Sequence, residues 1–81
     1  MEEVTRERFL KLLKEYLLNA KHFTAIVDVM MFISQAERIY NFNITREEFL
    51  SLLKEAEEKN YYLTPEYIRE FYRMHGIDIK E

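Results

Sequence analysis

"TAIVDVMMFISQAERIY", residues 24–40, is apolar almost without interruption through its first half, although the rest of the chain has the periodicity of amphipathic helices. At about 100° per residue, Ile26, Val29, Phe32, Ile33, Ala36, Ile39 and Tyr40 gather in one wide arc, the expected core face. Val27, Met30, Met31 and Ser34 lie outside it at i, i+3, i+4 and i+7, forming a second, narrower stripe. A helix apolar on two sides is either the central element of a bundle, covered on both faces, or one that presents its second face to a partner. Methionine serves both purposes, filling irregular gaps in cores and recurring at adaptable binding surfaces.

The flanking sequence punctuates three more helices. Thr5 is an N-cap candidate before Phe9, Leu10, Leu13, Tyr16 and Leu17, which predicts a helix over about residues 6–18. Thr24 can cap the second helix, about 25–40, and Asn41 tolerates the left-handed conformation at its end. Thr45-Arg46-Glu47-Glu48 reads as a capping box flanked by Ile44 and Phe49, opening a third helix over about 46–59 that Asn60 ends. Thr64-Pro65-Glu66 starts a fourth, about 65–75, with proline where its missing N–H is harmless and an acid beside the dipole. Gly76 closes it, with Ile77 folding back on the last turn, and Ile77-Asp78-Ile79 can run extended.

The expected fold is therefore all-α: a compact four-helix domain, residues 1–81, built from two helical hairpins, with the second helix as its most buried element. A chain of 81 residues buries only roughly 60 to 65 % of the surface its unfolded form exposes, so nearly every apolar side chain is needed. Hydrophobic residues at 48 % and charged residues at 33 % suit a folded chain rather than a disordered one. "TRERFLKLLKE" at 5–15 and "TREEFLSLLKE" at 45–55 differ only at Arg8/Glu48 and Lys11/Ser51. That echo reflects either two related halves or one favourable helix start used twice.

The composition argues against most chemistries. Twelve Lys and Arg against 15 Asp and Glu leave a formal charge of −3 and no basic stripe, so no nucleic-acid partner is expected, and Arg69 and Arg73 among Glu66 and Glu70 read as a solvated face. Without cysteine there is neither a disulfide nor a thiolate site. Asp28 and then Glu37 and Arg38 break the longest apolar run, so no membrane span is expected. Met1-Glu2-Glu3 is acidic where an export signal is basic, and the composition is compatible with the cytoplasm.

No catalytic or cofactor constellation emerges either. His22 and His75 are too few for a tight metal site, and His75 falls in a last turn, where it complements the dipole. "NAKHF" and "KNYYL" lack the alternating oxygen ligands and glycine of a calcium loop. Asp28 is the one acid inside an apolar stretch, but its first-turn position reads as solvent-facing support of the dipole. Ser34 and Ser51 have no activating context, the single glycine excludes a phosphate-cradling loop, and Thr24-Ala25-Ile26 stands where an acyl carrier protein has Asp-Ser-Leu. Tyr61, Tyr62 and Tyr67 cluster at the turn into the fourth helix, either as interface anchors or as a wet roof over the core.

Two resemblances accompany these readings. Thorough capping, one proline at a first helical position, one C-cap glycine and "KEAEEK" filler make the whole chain resemble computationally designed helical bundles, which implies a scaffold without a ligand or partner. Locally, "NAKHFTAIVDVMMFISQAERIYNFNITREEF" is similar in layout to the Nif11-type leader domain of peptide natural-product precursors, with Asn41 in place of that layout's glycine. The functional expectation is a non-enzymatic module that binds a protein partner, or itself, through Val27, Met30, Met31 and Ser34, with Tyr61, Tyr62 and Tyr67 as further anchors. The alternatives are a designed fold with no partner and a carrier of small hydrophobic ligands.

Overall fold

In a computed structural model that describes residues 4–77, the chain forms α1 (Arg6–Leu18), α2 (Ala25–Tyr40), α3 (Arg46–Lys59), a 3-10 turn (Tyr61–Leu63) and α4 (Pro65–Met74). The helix starts follow from their caps. The Thr5, Thr45 and Thr64 hydroxyls accept from the backbone N–H of Arg8, Glu48 and Tyr67 at 3.2, 3.1 and 3.3 Å, and Glu48 completes a capping box by accepting from the Thr45 N–H at 3.1 Å. Thr24 departs from expectation: its backbone is helical and its side chain makes no cap hydrogen bond. A tight turn replaces the cap, with the N–H groups of Ala25, Ile26 and Val27 donating to the carbonyls of His22, Phe23 and Thr24.

Helix ends are equally local. Asn41 adopts φ 58°, and its N–H and that of Phe42 donate to the carbonyls of Glu37 and Ala36. Gly76 sits at φ +69° with the Ile77 N–H on the Tyr72 carbonyl at 2.9 Å, which closes α4 at Met74, one residue before the expected end.

The core runs through Leu13 and Leu17 of α1, Ala25 and Val29 of α2, Ala56 of α3 and Leu63 of the turn. The small residues Ala25 and Ala56 are buried beside fully buried Leu17, Val29 and Leu63. Each fully buried Leu or Val contributes roughly 1.5 to 3 kcal/mol. α1 packs on both α2 and α3, so it is the central helix. α2 still fully buries the most residues of any helix, three against two in α1 and one in α3, so the expectation that it is the most buried element is corrected only for its outer face, which no helix covers.

α2 buries only Ala25, Val29 and Ala36, and two residues of its expected core face, Ile39 and Tyr40, are 71 % and 50 % exposed. With 16 residues against 13 in α1, α2 is the longer helix, and Tyr40 in its last turn stacks on Phe42 at 5.4 Å instead of entering the core. α4 buries no residue fully; it leans on the 3-10 turn and, through Phe71 and Tyr72, on Phe23 at 4.9 and 5.5 Å. The resulting all-α four-helix domain is long for its mass, 45 × 22 × 22 Å, with a radius of gyration of 14.2 Å against about 12 Å for an average domain of this length.

Candidate interaction surface

The second stripe of α2 faces outward. Val27, Met30 and Met31 are 65 %, 56 % and 50 % exposed, and Ser34 is exposed beside them. The reason is the layout just described: with α1 rather than α2 in the centre, helices cover only one side of α2.

Apolar exposure continues around α2 onto α1. Leu12 of α1 is 55 % exposed, and next to it the Tyr16 hydroxyl donates to Asp28 Oδ2 at 2.8 Å while its ring meets Phe32 edge-on at 5.5 Å. That hydrogen bond to a carboxylate raises the Tyr16 pKa above its ordinary value, because losing the phenolic proton would set two negative charges side by side. Asp28 is therefore half-buried in an α1–α2 seam rather than solely solvent-facing.

The seam has a hollow at each end. One, of about 540 Å³, is bordered by Leu12, Tyr16, Asn19, His22, Thr24 and Asp28. The other, of about 150 Å³, is bordered by Phe9, Phe32, Ala36, Ile39 and Tyr40. Leu12 and Ile39 were not read as surface candidates from the sequence. Leu12 sits off the main stripe of α1, a signal that was legible, whereas Ile39 lies on the α2 core arc and nothing in the spacing distinguishes it.

The three tyrosines come together as expected, but away from the α2 stripe, on the 3-10 turn and α4. Their rings meet edge-on at 5.1 Å (Tyr61–Tyr67), 5.4 Å (Tyr62–Tyr67) and 5.9 Å (Tyr61–Tyr62). The three rings pack against one another in an aromatic cluster with Tyr61 its most exposed member.

Among the described residues no three His, Asp or Glu side chains converge on a metal-binding position, and no helix is long and apolar enough to cross a membrane. The His75 ring lies 4.4 Å from that of Phe71 at the end of α4. Set against protein families, curated proteins and solved structures, the chain matches none of them.

Proposed function

We propose that the chain is a non-enzymatic protein-interaction module whose binding face is the apolar surface of α2. The observation that carries this reading is the exposure of Val27, Met30 and Met31 together on one face of α2. In a chain this short, apolar residues left out of the core represent lost folding energy, and contiguous patches of this kind mark sites of association. Flexible methionines at the centre of the face suit a surface that adapts to its partner.

The test is to compare the parent with Met30→Ala and Met31→Glu for stability and for binding of an apolar fluorescent dye. Stability within about 1 kcal/mol of the parent, with dye binding reduced, is the expected result. Loss of folding would show that the face is core, since truncating a core methionine costs about 2 to 5 kcal/mol. Stable variants with unchanged dye binding would favour a scaffold without a partner, the role implied by the resemblance to designed bundles.

A further inference from the structure

We propose that the larger hollow of the α1–α2 seam is a binding site for a small primary ammonium carrying a short alkyl chain. The inference stands apart from the proposed α2 face, because Val27, Met30 and Met31 do not border this hollow.

The hollow lies against the carboxyl end of α1, where negative charge is left without a counterpart. The last turns of α2, α3 and α4 carry Arg38, Lys59 and Arg73, which complement the negative ends of their helix dipoles, whereas the last turn of α1 has no basic residue. Glu15 stands there instead, at the rim of the hollow. The Tyr16 carbonyl also lacks its helical donor, since the Ala20 N–H turns to the Leu17 carbonyl at 3.3 Å.

Asp28 brings a second carboxylate to the rim from α2. It is half-buried, and the Tyr16 hydroxyl meets its Oδ2 at 2.8 Å, which leaves Oδ1 with no partner among the described residues. Glu48, Glu55 and Glu70 are ion-paired, but among the described residues neither Glu15 nor Asp28 is. Lys21 and His22 also border the hollow, yet neither pairs with these two carboxylates. A half-buried carboxylate that meets only a neutral hydroxyl has lost hydration without gaining an opposite charge, and a bound cation restores that balance.

The arrangement also selects the kind of cation. The acceptors stand on separate elements, Glu15 and the Tyr16 carbonyl on α1 and Asp28 on α2, which suits the three diverging N–H groups of an ammonium better than the planar fork of a guanidinium. No three acidic or histidine side chains converge on a metal position among the described residues. An anion finds little at the start of α2, because the N–H groups of Ala25, Ile26 and Val27 are taken by the carbonyls of His22, Phe23 and Thr24. At about 540 Å³ the hollow has the size of a small-molecule site. Leu12, Ala20 and the partly exposed Tyr16 ring supply its apolar wall, against which an alkyl chain packs.

The experiment is an NMR titration of the full chain with n-pentylamine at pH 7, where the amine is protonated, with n-pentanol as its uncharged counterpart. The amine should give saturable amide shifts confined to about residues 12–28, with a dissociation constant in the millimolar range, and the alcohol should bind about tenfold more weakly. Asp28→Asn and Glu15→Gln, both close in shape to the parent, should each weaken amine binding about fivefold, and Lys21→Gln, which removes a like charge from the rim, should strengthen it. Glu15 is exposed, so Glu15→Gln carries the test even if Asp28→Asn disturbs the seam. Equal binding of amine and alcohol would overturn the ammonium reading. Shifts that rise without saturating up to about 100 mM, or amine binding indifferent to both carboxamide variants, would overturn the site itself.

Discussion

The side-chain amide of Asn60 donates to the backbone carbonyl of Leu17 at 2.8 Å, across 43 residues of sequence. The same nitrogen reaches the carbonyls of Ala20 at 2.8 Å and Leu18 at 3.3 Å, while the side-chain oxygen accepts from the Tyr62 N–H at 3.0 Å. Asn60 is the one buried polar residue of the chain's described part, 7 % exposed, and a single side chain thereby satisfies the end of α1 and the start of the 3-10 turn.

Asn60→Ala should therefore destabilise the fold by about 2 to 3 kcal/mol in urea denaturation, because buried carbonyls lose their donor. Asn60→Asp presents a carboxylate to those carbonyls and should be worse at neutral pH. Its deficit should shrink in acid, where a protonated carboxyl can donate. Equal deficits for the two variants at every pH would contradict this role.

The four threonine starts are not equivalent. Thr45→Ala and Thr64→Ala should each lower stability by about 1 kcal/mol, since both hydroxyls accept from helix N–H groups. Thr24→Ala, where no such bond exists, should fall within about 0.5 kcal/mol of the parent. Thermal melts of the three variants provide the comparison.

Arg6 joins the beginnings of α1 and α3: its guanidinium pairs with Glu48 and donates to the Asn43 carbonyl at 3.1 Å. The Arg6 hydrogen bond first, then the Thr45 N–H, hold the Glu48 carboxyl below its usual pKa. A depressed carboxylate contributes stability that is present above its unfolded pKa, about 4.3, and lost as pH falls through the folded value. Stability measured from pH 6 down to about 3 should decline, and less steeply in Glu48→Gln. Equal slopes would show that the contact is not maintained in solution.

Phe23 is the chief aromatic contact between α4 and the loop joining α1 to α2. Phe23→Ala should loosen α4 before anything else. Amide exchange across Tyr67–Met74 should accelerate several-fold more than exchange in α1, because α4 has no fully buried side chain of its own to hold it. Uniform acceleration over all four helices would mean that the fold opens only as a whole.

Helix content was legible because it is decided within a few residues. Thr5, Thr45, Thr64, Pro65, Asn41 and Gly76 act on backbone groups one turn away, and all eight expected ends of the four helices hold to within a residue. The Thr24 failure has the same local origin: the preceding residues turn tightly enough to occupy the N–H groups that a cap would take. The 3-10 turn at Tyr61–Leu63 was missed, since Asn60 at the end of a helix reads as a terminator whether its side chain faces water or another helix.

The sequence by itself thus determined how many helices form, where they start and stop, and that α2 carries two apolar sides, because periodicity and capping depend on neighbours along the chain. The tertiary structure alone decided which side is covered. It placed α1 in the centre, left Val27, Met30, Met31 and Ile39 at the surface, and aimed Asn60 at the end of α1. Burial is a property of what lies across the gap, and a helix contributes the same stripe to its sequence whether another helix or solvent stands opposite.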